Sequence, residues 1–504
     1  MILHHEFIKT AKKFASKTAI DDKMTGKSLT YERTLVATFI LSKKLSVYPD
    51  EYIGIMIPTS MGAMLSILAV LFLRKIPVMI NYSTGAADNC TYAQKTCGFR
   101  PIITSRALCE KIKCPMVPGM VFIEDILEEV TIIDKVKALL AAKKSSARII
   151  SRLPHTDIDD TAVILFTSGS EKDPKAVQLS HRNIGSNLQD VPYVLDVSDK
   201  DVLFCILPLF HVFGYTINHW LPLTMGMKAI TYANPLEYKR IAFIIKHDKP
   251  TVMAGTPSFF AGYLRESEQN DFSSLRLVIP GADKCPEWLR QGYKQKHGIE
   301  LLEGYGCTET SPVVSVNSPA HCRPGSIGKP MPSAEVKIVD PETGEELPRK
   351  SEGKILVKGE LVMKGYLDKE ETANSIKDGW YDTGDMGMLD DDGFLWHKGR
   401  YKRFVKVGGE MVSLVRTESE LEKVLPDGVE CCVVEVGDQF KGSKIVAACS
   451  GPVNEDEVLK KLSAVLTPIA LPKKFVVIDE LPKMGSGKID FRSTTRMVQE
   501  MVET

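Results

Sequence analysis

Short apolar, β-branched runs recur through the first half of the chain: EYIGIMI, KIPVMI, TAVILF, MKAITY, PTVMAG and LRLVIPG, from Glu51 to Gly281. Between several of them lie stretches with helical spacing, such as LEYKRIAFIIKHD and PEWLRQGYKQKHG. Runs this apolar read as strands buried on both faces. Strands alternating with helices imply parallel sheets covered by helices, because a parallel crossover needs a helix-sized connection. A chain of 504 residues exceeds one ordinary domain, so a large unit with subdomains and at least one smaller unit are expected.

The texture changes after Ile327. AEVKIVDPETGEELPRKSEGKILVKG places the turn signals Asp340-Pro341 and Thr343-Gly344 between strand-like runs, which predicts an antiparallel, β-barrel-like subdomain. Beyond Arg400 the runs VECCVVEVG and SKIVAACSG, the helical EDEVLKKLSAVL and KFVVIDELP read as a small α+β domain. The expected division is 1–399 and 400–504.

Composition narrows the class. Lys+Arg and Asp+Glu both total 64, so no global field points to nucleic acid, and any charge steering is local. The most apolar stretch, YIGIMIPTSMGAMLSILAVLFLRKIPVMI, has its centre from Ala63 to Leu73, shorter than the ~20 residues of a membrane span. It reads as a buried strand followed by a buried helix. The opening MILHHEFIKTAKKFASKTAI has no uninterrupted apolar core ahead of a cleavage site, unlike a signal peptide. Eleven cysteines form no CxxC pair, which points to free thiols in a reducing cytoplasm and away from a zinc site.

After TAVILF comes the loop FTSGSEKDPKAV. Thr167, Ser168 and Ser170 offer hydroxyls, Gly169 permits close backbone approach, and Lys175 adds a point charge, a set suited to gripping phosphate. It is not a Walker loop, since the lysine lacks the preceding glycine and following Ser/Thr. An ordinary polar turn between strand and helix is an equal reading of these residues alone.

The loop resembles the phosphate loop of the acyl-adenylate-forming superfamily, with Lys172 and Ala176 where that family usually has glycine. Further segments follow in the family's order: LPLFHVFG (Leu207 to Gly214), PGA (Pro280 to Ala282), EGYGCTE (Glu303 to Glu309), GWYDTGDMG (Gly379 to Gly387), HKGRYKRFVKVGGEMVSL and LPKMGSGKID. The resemblance implies ATP and Mg²⁺. It places His211 beside the carboxylate site, and Gly281 and Ala282 along adenine. Tyr305, between Gly304 and Gly306, would stack on the base. Thr308 would meet the α-phosphate and Glu309 would hold Mg²⁺; Asp385 and Arg400 would contact ribose. Lys488 would be the adenylation lysine on a mobile C-terminal domain that rotates near the hinge residue Lys402. The implied reaction joins a carboxylate to the α-phosphate of ATP, then passes the acyl group to a thiol.

Relatives acting on amino acids usually carry an aspartate shortly after LPLFHVFG, but here that region reads YTINHWLPLTMG, without an acid. A fatty acid is the expected substrate, with Phe213, Tyr215, Trp220, Phe259 and Phe260 either lining an apolar tunnel or filling core. GEMVSL and its neighbours are similar to the acyl-ACP synthetase part of the bacterial bifunctional 2-acylglycerophosphoethanolamine acyltransferase/acyl-ACP synthetases. That narrower resemblance implies acyl carrier protein as the acceptor. The start of the chain resembles a free-standing adenylating enzyme, so acyltransferase activity is not expected. A fatty acyl-CoA ligase is the alternative, and a non-catalytic nucleotide- or lipid-binding homologue the next. Finally, residues 134–153 interleave Lys135, Lys137, Lys143, Lys144, Arg148 and Arg152 with Val136, Leu139, Leu140, Ile149, Ile150 and Leu153. Such a stretch suits peripheral contact with anionic lipid at the inner face of the membrane, docking of an acidic carrier, or, most commonly, a solvated helix over a core edge.

Overall fold

The computed structural model describes residues 1–167, 174–407, 410–426, 428–438, 442–483 and 489–503, and the chain divides into two compact units. The larger comprises residues 1–168, 174–335 and 357–381; the smaller is built mainly from 336–356 and 382–504.

Two helix-covered sheets dominate the larger unit. The first has six strands in the order Leu277–Pro280, Val252–Gly255, Val202–Cys205, Lys228–Thr231, Thr18–Asp22 and Lys27–Thr30; all neighbours are parallel except the last pair. The second has seven: Gly365–Tyr366, Ala176–Ser180, Thr161–Phe166, Ile76–Met79, Tyr52–Met56, Ile102–Thr104 and Met120–Phe122. From Thr161–Phe166 onward this sheet is parallel, but Ala176–Ser180 and Gly365–Tyr366 add to it antiparallel. The stretch FTSGSEKDPKAV therefore joins two strands, not a strand to a helix. Only residues 167–175 separate the two strands, too few for a parallel crossover of a dozen or more.

The apolar segment ahead of Arg74 is the strand Tyr52–Met56 and the helix Met61–Phe72, whose residues from Ala63 to Phe72 are buried apart from Leu65. Ser60 caps this helix, its Oγ accepting from Ala63 N at 3.4 Å. Among the described residues no helix is long and apolar enough to cross a membrane. All eleven cysteines are free thiols.

In the smaller unit, Asp340 closes the expected turn: its Oδ1 accepts from the backbone N–H of Glu342 and of Thr343, each at 2.8 Å. Residues 385–389 of the strand Trp380–Leu389 pair antiparallel with Leu395–Arg400. After the hairpin Phe404–Val407 and Glu410–Ser413 comes an α+β layer. Its strands Cys431–Asp438 and Gly442–Cys449 are antiparallel, and Lys474–Val477 joins parallel to the second. Alternation in VECCVV divides the burial: Cys431 and Val433 join one core with Leu421 and Leu462, while Cys432 and Val434 join another with Val476 and Val498.

Candidate functional site

EGYGCTE forms a tight hairpin. Gly304–Gly306 runs antiparallel to Val313–Val316, with the register slipping between Tyr305 and Gly306, and a single 3₁₀ turn, Thr308–Thr310, makes the bend. Gly306 is required there, because a Cβ would lie 1.8 Å from the carbonyl oxygen of Pro312. Thr310 locks the bend, its Oγ1 accepting from Cys307 N at 3.1 Å and donating to Pro312 O at 2.7 Å. Thr216 donates to Ser311 O at 2.9 Å and Ser311 Oγ to Leu361 O at 2.8 Å, fastening the turn to two other segments. Tyr305 and Thr308 are left half-buried, whereas Glu309 is buried.

Glu309 has a partner that sequence reasoning missed. The phenol of Tyr366 donates to its Oε1 at 2.7 Å, and Met363 N donates to its carbonyl at 2.8 Å. Burial first, and the Glu309 charge second, push the Tyr366 phenol far above its ordinary value, so it stays a neutral donor. The buried Tyr381 neighbours Tyr366. Lys175 Nζ lies 4.9 Å from the Tyr366 ring centroid and pairs with Glu371. The strand Gly365–Tyr366 makes this possible by pairing with Val177 and Gln178, next to Lys175. No local signal in KGYLD marks Tyr366, which is 57 residues from the acid it holds.

Thr167 and Lys175 face each other across the base of the loop: Thr167 N donates to Lys175 O, and Lys175 N to Thr167 Oγ1, both at 3.0 Å. Ser168, Gly169, Ser170 and Lys172 lie outside the described residues, as does Lys488. Lys402 falls in the short turn Tyr401–Arg403; its side chain is likewise outside them.

Two other motifs converge on this hairpin. LPLFHVFG follows the strand Val202–Cys205 and leads into a seven-residue π-helix, Gly214–Trp220, a form common at functional sites. His211, half-buried, has its ring 4.5 Å from that of Phe210, and its carbonyl accepts from Tyr215 N at 2.8 Å. Phe213 packs on the PGA turn so closely that a Cβ on Gly281 would sit 3.0 Å from its ring and 3.7 Å from Gly304 O. Ala282 takes the left-handed conformation, φ 70°. These turns lie at or just beyond the carboxyl ends of two parallel strands that flank Val252–Gly255, the place where open α/β sheets bind ligands. Of the candidate tunnel side chains, Tyr215, Trp220, Phe259 and Phe260 are fully buried core and Phe213 is partly buried against it. Glu303 anchors the hairpin's start, accepting from Cys285 N at 3.1 Å and Arg290 Nη1 at 2.6 Å. Burial raises its pKa, opposed by Arg290.

In the smaller unit, DTGD builds a second acidic position. Asp382 Oδ1 accepts from Gly384 N at 2.9 Å, and Thr383 Oγ1 donates to Ile355 O at 2.8 Å while accepting from Asp385 N at 3.1 Å. The strand register sets Asp385 opposite Arg400. Arg400 Nε meets Asp385 Oδ1 at 2.9 Å, and His397 Nε2 lies 3.6 Å from the same oxygen. The Asp385 side chain is only 4% exposed, that of Arg400 63%. Both residues expected at one sugar are thus ion-paired.

Residues 7–367 match the family profile of AMP-binding enzymes, and 420–488 that of the AMP-binding enzyme C-terminal domain. The chain is similar to a long-chain-fatty-acid–CoA ligase of Bacillus subtilis, 31% identical over 98% of this chain and 93% of the relative. Among solved structures it is similar to ATP-bound MatB from Rhodopseudomonas palustris, with a TM-score of 0.86 and 25% identity over 99% of each chain. Another is the anthranilate CoA ligase AuaEII in complex with anthranoyl-AMP, at TM-score 0.82 and 25% identity, covering 99% of this chain and 98% of that one. With the fold, both profiles and a relative matched almost end to end in agreement, this chain belongs to the AMP-binding enzyme family, as an acid–thiol ligase that forms an acyl-adenylate and then a thioester.

Proposed function

We propose that this chain activates a long-chain fatty acid with ATP and Mg²⁺ and delivers the acyl group to a phosphopantetheine thiol. The observation that carries the reading is Glu309: a buried carboxylate held by a neutral phenol, on a hairpin that also presents Thr308 and Tyr305.

Magnesium fits this donor set. It prefers one or two carboxylates plus phosphate oxygens to an all-protein cage, and among the described residues no group of three His, Cys, Asp or Glu forms such a cage. When bound it would neutralise phosphate charge. Bringing a carboxylate to a triphosphate costs about 1 kcal/mol per charge pair at ~4 Å in water and about 4 at an effective dielectric of 20. The chain's own groups oppose that cost: Thr308 toward the α-phosphate, Thr167, Ser168, Ser170, Gly169 and Lys175 around the pyrophosphate end, and Lys488 between them. Tyr305, Gly281 and Ala282 take adenine, Asp385 and Arg400 the ribose, and His211 borders the incoming carboxylate. No general base is required for the first step, because the nucleophile is already ionised.

The fatty-acyl reading is supported by the Bacillus subtilis relative, and by the absence of an acid in YTINHWLPLTMG. That relative is a CoA ligase, which favours coenzyme A as the acceptor. The GEMVSL segment favours acyl carrier protein instead. Purified protein given ATP, a long-chain fatty acid and either CoA or holo-carrier separates them: a product on one thiol alone assigns the acceptor. Fatty-acid-dependent exchange of pyrophosphate into ATP tests the reading itself, and its absence with any fatty acid removes it. With 400–504 acting as the mobile domain about Lys402, Lys488→Ala abolishes exchange yet largely spares thioester formation from supplied acyl-AMP.

A further inference from the structure

The helix Ile132–Ala142 presents the opposite of an ordinary surface helix, which buries its large apolar side chains. Its protein-facing residues are Asp134, Ala138 and Ala142. Its large aliphatics point outward: Ile132, 78% exposed, with Ile133, Val136, Leu139 and Leu140. At 100° per residue these five span an arc of about 120°, and Lys135 and Lys137 fall on its two margins.

The orientation is enforced. Thr131 and Asp134 form a capping box at the N-terminus. Asp134 also pairs with Lys43 at 2.7 Å and Lys44 at 3.6 Å, and Lys43 holds its carboxyl far below the usual range. At the other end Lys12 Nζ donates to Ala142 O at 2.8 Å and Lys143 pairs with Glu32 at 3.0 Å. Rolling the helix to bury its aliphatic side would break these contacts.

Charge identifies the occupant. From Thr131 to Leu153 the chain has six cations and one acid, Asp134, which faces inward, in a protein whose totals balance. Lys144 is lowered by burial and by neighbouring Arg152 and Arg148. A second copy docked about a two-fold axis would bring the lysine margins together, and an acidic protein would match the lysines but need its own apolar ridge. A bilayer with anionic headgroups satisfies both features, taking the aliphatic arc into the acyl boundary while the lysines stay among the phosphates.

We infer that the Ile132–Ala142 face is a docking surface for anionic membrane, seating the enzyme peripherally. The test is flotation of the full chain with vesicles of phosphatidylcholine, or of equimolar phosphatidylcholine and phosphatidylglycerol. Two double variants accompany it, Ile133→Ser with Leu140→Ser and Lys135→Glu with Lys137→Glu. All four positions are exposed, and AMP formation with a soluble short-chain acid should be unchanged. The wild type should bind the anionic vesicles about tenfold more tightly than neutral ones, weakening with salt, and each variant should lose about tenfold. Wild type that binds neither vesicle, or variants that bind as well as wild type, would overturn the proposal. So would an apolar variant that abolishes a concentration-dependent dimer, or capture by acidic carrier protein, while vesicle binding is untouched.

Discussion

Two buried carboxylates, one in each unit, are held in opposite ways. Glu309 takes a hydrogen bond from a neutral phenol, whereas Asp385 is ion-paired with a guanidinium. A neutral partner orients the acid without cancelling its charge, which leaves a hard anionic ligand for a cation. A cationic partner compensates the charge and leaves acceptor lone pairs for hydroxyls, as a ribose offers. The difference lies in what surrounds each acid, since Asp and Glu are chemically alike.

The sharpest way to break this contrast is Glu309→Gln, which keeps the shape and removes the charge. Fatty-acid-dependent pyrophosphate exchange should fall by about 10³-fold, with no recovery at high Mg²⁺. Asp385→Asn should cost roughly 10- to 100-fold in kcat/KM for ATP, mostly in KM, because it removes the charge that holds Arg400 and weakens the acceptor at the proposed ribose contact. A loss confined to kcat would place Asp385 elsewhere. Tyr366→Phe deletes one hydrogen bond to a charged group. It should raise the Mg²⁺ concentration for half-maximal exchange by roughly tenfold while ATP affinity at saturating Mg²⁺ changes less. A lowered Tm with an unmoved Mg²⁺ curve would reduce Tyr366 to packing. The smallest effect on stability belongs to Lys175→Met: its pair with Glu371 is about one-third exposed, so stability should change by about 0–1 kcal/mol. Exchange should slow more than that change explains.

Much of the candidate site was legible because the proposed chemistry calls for particular residue types at short spacing. EGYGCTE, DTGD and the hydroxyl loop are local arrangements, and local steric demands such as that of Gly306 are written where they act. Tyr366 was not legible, since its hydrogen bond to Glu309 closes over a long span of chain and its own neighbourhood resembles any strand end. The strand Ala176–Ser180 stands where the plain-turn reading of FTSGSEKDPKAV expects a helix, and the brevity of the connection is the physical reason for a hairpin instead. The aromatic residues after His211 carried no label either: the same side chains suit tunnel or core, and four of them are core.

The sequence by itself determined the alternation of strands and helices, the balanced charge, and the order of motifs that resemble those of adenylating enzymes. Those properties depend on periodicity and on residue type, both readable one window at a time. Tertiary structure alone decided that Tyr366 grips Glu309, that Asp385 meets Arg400 across a strand register, and that the aliphatic side of Ile132–Ala142 faces outward. Each of these depends on which surfaces meet after the chain has closed on itself, and a helical pattern shows that a face is apolar without showing which way it turns.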